Sequence, residues 1–301
     1  FSLAAGETMV LLGESGSGKS VTSRAILRLY GGEARITGAV RFGEKSLSNF
    51  DERAMRKLRG SDIAMVPQDP TAALDPLRHI GAQLGEVLRV HGVAKGRGAA
   101  RERVLALLQS VGIPDPVRVA KSYPHELSGG MRQRAMIAVA IACEPKVLIA
   151  DEPTTALDVT VQAQVLELFS ELQARLGMAM LMVTHDVGVA REIADRVAVM
   201  YAGRIVETGP TDAVLSSPAH PYSEGLLASV PRGQSGREER LRPIPGAPPS
   251  LARIPPGCPF HPRCPYVVER CRAERPPLAP VREPGREAAC WRSDEVGRAG
   301  R

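Results

Sequence analysis

With 301 residues, 44% of them hydrophobic, the chain can fill one large core or two small ones, which excludes disorder throughout. Its longest apolar runs, such as residues 135–143, fall far short of the ~20 residues that span a bilayer, and no basic-then-apolar signal opens it. The formal charge of +6 is local: residues 1–230 hold 25 basic and 25 acidic side chains, whereas residues 231–301 hold 14 Arg and 8 acids.

In chain order, residues 10–12 read as a short strand ending at Gly13, and residues 19–30 carry apolar side chains at helical spacing, giving strand, glycine loop, helix. A second strand is expected at 63–66, followed by helices that include 80–90 and 100–111. Residues 147–150 and 178–183 are apolar runs that end at polar residues, as buried parallel strands of a doubly wound sheet do, so their polar ends should gather along one sheet edge. Residues 197–200, Ala202-Gly203 and 204–207 read as a hairpin. There is no internal repeat. Residues 231–301 carry 14 of the 25 prolines and four of the five cysteines. This composition break near residue 231 marks a separate module, and residues 231–257, with Pro243, Pro245, Pro248, Pro249, Pro255 and Pro256, read as an extended linker. The chain opens on Phe1 and Ser2 with the glycine loop almost at once, and upstream residues are expected to be missing.

Gly13-Glu14-Ser15-Gly16-Ser17-Gly18-Lys19-Ser20 fits the phosphate loop G-x-x-x-x-G-K-[ST] in the strand-to-helix setting that the motif requires. Glycines let backbone N–H groups turn inward around phosphate oxygens, and the helix N-terminus, where Val21 follows, adds positive potential. Lys19 would hold the β- and γ-phosphates and Ser20 would ligate Mg²⁺. Asp151 stands at a strand's carboxyl end, where it can hold Mg²⁺ through water. Glu152, next to it, can face the γ-phosphate and polarise an attacking water, a role worth about 10²- to 10⁴-fold in rate. Either acid could instead cap the next helix. Leu127-Ser128-Gly129-Gly130-Met131 opens an apolar helical stretch to about Cys143, with Ser128 available as an N-cap and Gly129 and Gly130 as N–H donors of a second anion site.

The phosphate loop, Gln68 after a strand, Leu127-Ser128-Gly129-Gly130-Met131, Asp151-Glu152, Ala156-Leu157-Asp158 and His185 after another strand occur in the order of the ABC-transporter ATPases, which residues 1–230 resemble. The resemblance implies an α/β, RecA-like P-loop NTPase core with a helical subdomain inserted at about 74–143. It also implies ATP held between one domain's phosphate loop and the signature loop, Ser128 to Gly130, of a second domain facing it head to tail. Gln68 matches the Q-loop residue that approaches Mg²⁺ and the attacking water while its loop touches membrane subunits. His185 matches the switch histidine that reads the γ-phosphate, and Asp158 the D-loop acid at the domain interface. An ordinary surface hydrogen bond for Gln68 and a structural role for His185 are the bland alternatives. Met131 stands where many members carry Gln, and the adenine-stacking aromatic of the family would lie upstream of Phe1.

Residues 123–126, 151–164, His220-Pro221-Tyr222 and 257–265 make the chain similar to the oligopeptide/dipeptide import ATPases over nearly its full length. That likeness implies a peripheral ATPase on the cytoplasmic face of the inner membrane, coupled to two permease subunits, a second related ATPase and an extracytoplasmic peptide-binding protein. A soluble ABC ATPase acting on nucleic acid is the alternative, supported only by the basic tail, whose bland reading is solvation of a proline-rich extension. A subunit that binds ATP but turns it over poorly is a third reading, against which Asp151, Glu152 and His185 speak.

Cys258, Cys264, Cys271 and Cys290 lie in a proline-stiffened segment with little apolar material of its own, which calls for a staple. Their spacing leaves a [4Fe-4S] cluster, zinc with Cys258, His261 and Cys264, or free thiols open. Resemblance to the peptide-importer subgroup implies the cluster. Cys143, in an apolar helix, reads as a small core residue.

Overall fold

Ten strands punctuate the computed structural model of the chain, which describes residues 1–31, 34–155, 157–229 and 243–297. They are β1 (Thr8–Leu12), β2 (Arg41–Phe42), β3 (Lys45–Ser46), β4 (Ile63–Val66), β5 (Val147–Asp151), β6 (Ala179–Thr184), β7 (Arg196–Tyr201), β8 (Arg204–Pro210), β9 (Ala279–Pro280) and β10 (Glu287–Ala288). The expected linker residues 231–242 and the expected loop residue Ala156 lie outside the described residues. By contacts the chain forms two units, Phe1–Glu7 with Ser23–Met182, and Thr8–Thr22 with Val183–Arg301.

In the first unit, β4, β5 and β6 are neighbours in that order. β4 and β5 run parallel, with Ile63 beside Val147 and Val66 beside Ala150. Leu148, Ile149, Ala150 and residues 179–182 are all buried, because helices cover both faces of a parallel sheet and leave no polar side to alternate. The expected helical insertion is present as helices Ile80–Val90, Arg97–Ser110, Pro116–Ala120 and Gly129–Ile141, which pack on one another, with Leu84, Leu88, Val104, Leu107 and Leu108 buried. The long helix Val159–Leu176 starts at Asp158, whose carboxylate accepts the Val161 N–H, and stops at Gly177, which takes the left-handed φ of +62° that ends helices without strain. Cys143 corrects the sequence reading: the helix ends at Ile141, and Cys143, beyond it, is half-buried rather than in the core.

In the second unit, β1 pairs with β7 in parallel, Met9 beside Arg196, and β7 returns as β8 through Ala202 and Gly203, at φ +46° and +79°. Two left-handed residues in the turn suit the right-handed twist of a hairpin. Residues 243–257 carry neither helix nor strand. The chain beyond them does not stand alone: β10 pairs antiparallel with β8, Ala288 beside Glu207, and β9 pairs with β10. Beneath this pairing Arg286 and Glu207 form an ion pair at 2.9 Å with side-chain exposures of 1% and 0%. Among the described residues no helix is long and apolar enough to cross a membrane.

Candidate functional site

The phosphate loop belongs to the second unit. β1 is buried at all five positions and delivers the chain to Gly13, where a Cβ would lie 2.3 Å from the Met200 carbonyl oxygen, so only glycine lets the loop pass that close to β7. Gly18, at φ +100°, turns the chain into helix Lys19–Ile26. The Lys19 side chain is drawn in, with the residue 4% exposed, and its ammonium donates to the Gly13 carbonyl at 2.7 Å and the Glu14 carbonyl at 3.0 Å. Its charge therefore sits at the centre of the loop, where a polyphosphate needs it. Ser15, Gly16 and Val21 are exposed.

Sequence reasoning missed two side chains that brace this loop from the same unit. The Glu14 N–H donates to the Tyr222 hydroxyl oxygen at 2.8 Å. The Glu14 carboxylate is gripped by the Arg263 guanidinium at 2.9 and 3.1 Å. Tyr222 is buried, with its phenol pushed up chiefly by that burial, and its ring packs against Tyr201 and Phe260 at centroid distances of 4.6 and 5.5 Å. The residues before it hold it there. Pro221 opens helix Pro221–Ala228, and His220 Nδ1 caps the helix by accepting the Tyr222 N–H at 3.0 Å. Burial holds His220 down at about 3, which keeps that nitrogen a neutral acceptor. The stretch His220-Pro221-Tyr222 signalled a subgroup in sequence; its physical role is a helix start that props the phosphate loop.

Gln68, the signature loop and the two acids belong to the first unit. Asp151 ends β5 fully buried. Glu152 follows at φ +48°, an uncommon backbone state for a residue with a Cβ. Its Oε2 accepts from Gln68 Nε2 at 3.2 Å and from the Thr155 hydroxyl at 3.0 Å, so Gln68 and Glu152, 84 residues apart, are brought together. The buried Gln133 donates to the Pro153 carbonyl at 2.6 Å and ties the signature helix to the segment after Glu152; an apolar helical pattern with one amide in it gave no sign of this. Ser128 accepts the Met131 N–H at 3.3 Å as an N-cap, and Ser128 and Gly129 stay exposed. Gly130 is close to helix Val159–Leu176, where a Cβ would lie 3.0 Å from Val161. Asp158 caps that same helix. His185, in the second unit, is exposed just past β6.

All four tail cysteines line one cavity, with Phe260 and Trp291 among its other walls. Burial pushes the Cys264 thiol up to about 12 and the Cys290 thiol up to about 11, and it raises Cys258 as well. Backbone N–H groups of Tyr266, Arg292 and Phe260 act the other way, each from two residues beyond the cysteine it serves. Such N–H donors stabilise a thiolate. His261 lines the same cavity, with its Nδ1 2.9 Å from the Cys258 carbonyl oxygen. Among the described residues, no three His, Cys, Asp or Glu side chains are close enough together to hold a single metal ion.

A parallel α/β sheet with a glycine-lined phosphate loop at a strand end defines a P-loop nucleotide-binding protein. Comparison with known proteins narrows this class. The sequence profile described as ABC transporter matches residues 1–155, and that described as oligopeptide/dipeptide transporter, C-terminal region, matches residues 206–271. A Brucella ovis protein described as a peptide import ATP-binding protein is 55% identical over 92% of this chain and 86% of its own length. The oligopeptide transport ATP-binding protein OppD of Salmonella typhimurium is 49% identical over 98% of this chain and 87% of its own. Among solved structures, the dimeric post-hydrolysis state of the ATP-binding cassette MJ0796 bound to ADP and Pi superposes with a TM-score of 0.63 at 29% identity, covering 70% of this chain and 88% of that one. The chain belongs to the ABC transporter family, in its oligopeptide/dipeptide import branch of ATP-binding proteins.

Proposed function

We infer that this chain is the ATP-binding and ATP-hydrolysing subunit of an importer of oligopeptides or dipeptides. The observation that carries the reading is likeness at about half identity, over nearly the whole chain, to proteins named for peptide import. The nucleic-acid alternative has no such support, and several tail arginines are already engaged inside the protein: Arg263 on Glu14, Arg286 on Glu207, Arg292 on Glu295.

In this reading residues 13–21 take the triphosphate of ATP, with Lys19 on its β- and γ-phosphates. Ser20, Gln68 and Asp151 offer the hard oxygen donors that suit Mg²⁺, which would neutralise phosphate charge when bound. Glu152 accepts a proton from the attacking water, Gln68 orients it, and His185 senses the γ-phosphate. The exposed Ser128 and Gly129, with Gly130, face the nucleotide of a second ATPase domain, and Asp158 stands at that junction; the dimeric MJ0796 cassette is the pattern for such pairing. Partners are two permease subunits, a second ATPase and, through the permeases, an extracytoplasmic peptide-binding protein, which places the chain peripherally on the cytoplasmic face of the membrane. Residues 1–230 then form the ATPase domain and residues 231–301 its appended region, a division that rests on the composition break near residue 231.

For the tail, the reading is a [4Fe-4S] cluster rather than zinc. Four sulfurs line one cavity and N–H donors aim at three of them, a thiolate donor set of the kind that holds such clusters, and likeness to the peptide-import ATPases favours the cluster over zinc. When bound, the cluster would cross-link four points of a segment that has little core. Iron and sulfide analysis after anaerobic purification tests this, and stoichiometric zinc without iron rejects it.

The experiment for the main reading is reconstitution with the partner chains and measurement of peptide-stimulated phosphate release. Loss of ATP binding and of uptake in Lys19→Ala supports it. Uptake that persists in that variant, or salt-sensitive binding of nucleic acid in its place, rejects it.

A further inference from the structure

The tail reaches the phosphate loop through one buried cation. Arg263 ends the short 3₁₀ turn His261–Arg263, between Cys258 and Cys264, and its side chain is 5% exposed. Every part of its guanidinium is used: Nε donates to the Pro245 carbonyl at 2.9 Å, one terminal nitrogen to Glu14 Oε2 at 2.9 Å and to the Tyr201 hydroxyl at 3.4 Å, and the other to Glu14 Oε1 at 3.1 Å. Below it lie the rings of Tyr201 and Phe260, at 5.8 and 5.9 Å. Glu14 is equally committed. Its N–H goes to Tyr222, and its carbonyl accepts from the Ser17 N–H at 3.2 Å and from Lys19 Nζ.

Glu14 puts a negative charge into the loop that must receive a polyanion, and that charge repels phosphate unless a cation matches it. A bidentate arginine both cancels the charge and fixes its direction. We propose that Arg263 is a positioning residue for nucleotide binding: it neutralises Glu14 and holds it back, so that the phosphate loop presents its N–H groups to ATP. The proposal rests on the reading of residues 13–20 as the ATP site. It also gives the thiol module a route to that site, because the turn that carries Arg263 is bracketed by two of the four cysteines lining the cavity.

The test is equilibrium affinity for ATP, measured by titration calorimetry on the full chain. Arg263→Ala should weaken binding by about tenfold, and Arg263→Lys, which keeps the charge without the fork, should recover part of it. Glu14→Gln removes the charge instead of its partner, so it should bind ATP a few-fold more tightly than the parent. The double variant Glu14→Gln/Arg263→Ala should lie closer to the parent than Arg263→Ala alone. A merely structural clamp predicts the opposite sign for Glu14→Gln and no rescue in the double variant. Parent-like affinity in Arg263→Ala, or weakened binding in Glu14→Gln, overturns the proposal, and the second result decides the matter even if Arg263→Ala does not fold. Lys19→Ala is the control for the underlying reading: undiminished affinity there removes the ATP site itself, a failure distinct from failure of Arg263.

Discussion

Gln68 donates its amide hydrogen to Glu152 Oε2 across 3.2 Å, and the Thr155 hydroxyl donates to the same oxygen at 3.0 Å. Two neutral donors thus fix one carboxylate oxygen of Glu152, whose backbone is left-handed at φ +48°. A strained backbone at a polar residue is the kind of outlier that points to a working site.

Glu152→Gln should keep this geometry, since the amide has the same shape, while losing the group that accepts a proton. Steady-state phosphate release in the assembled transporter is expected to fall by about 100-fold or more, with ATP affinity retained. Parent-like turnover would take Glu152 out of the mechanism.

Sequence made the first unit and the phosphate loop readable because their signals are local. Apolar runs gave β1, β4, β5 and β6 within a residue or two, and Ala202-Gly203 between two strand-like runs gave the hairpin turn. The tail's packing was not readable. Arg263 and Arg286 looked like part of an unspecific basic extension, yet both are buried on acids that lie far back in the chain, Glu14 and Glu207. Charge pairing across 249 or 79 residues leaves no periodicity, and a two-residue strand such as β10 leaves no pattern. Phe260, a large aromatic that packs on Tyr201 and Tyr222, is legible only after the fold is known.

The ion pair of Glu207 and Arg286 is wholly buried, and Glu207 also accepts the Ala219 and His220 N–H groups at 2.8 and 3.0 Å. Arg286→Met leaves the carboxylate buried without its cation. It should cost about 3–5 kcal/mol, read from the midpoint of chemical denaturation. Glu207→Gln/Arg286→Met should regain part of the loss, because no charge then stays buried. A surface-like cost below about 0.5 kcal/mol for Arg286→Met would contradict the burial.

His220 gives stability a pH dependence. Its folded pKa, about 3, lies below the ordinary value of 6.5, so the unfolded chain binds the extra proton between those limits. The contribution of His220 is therefore complete above pH 6.5 and is lost as pH falls from 6.5 toward 3, by up to about 1.4 kcal/mol per unit. His220→Asn keeps a side-chain acceptor for the helix cap and cannot titrate. Its denaturation midpoint should fall less steeply over pH 6.5 to 4.5 than that of the parent, and parallel slopes would show that His220 is charged in the folded protein.

Gly257 packs directly against the backbone that carries Cys271, one of the residues lining the thiol cavity. It sits at φ +65°, and a Cβ there would be 2.4 Å from the Cys271 carbonyl oxygen and 2.6 Å from that of Arg272. Backbone atoms cannot move aside as a side chain can, so Gly257→Ala must break the bond from the Cys258 N–H to the Cys271 carbonyl, 2.8 Å long, and push the Cys258 and Cys271 segments apart. Reaction of the thiols with a disulfide reagent under native conditions should then speed up for Cys258 and Cys271, and the bound iron, if analysis finds it in the parent, should drop in proportion. Cys143, far along the chain in the other unit, serves as the internal standard. Equal acceleration at Cys143 would mean general unfolding rather than opening of the cavity, and unchanged rates at all five thiols would mean that Gly257 does not hold the cavity shut.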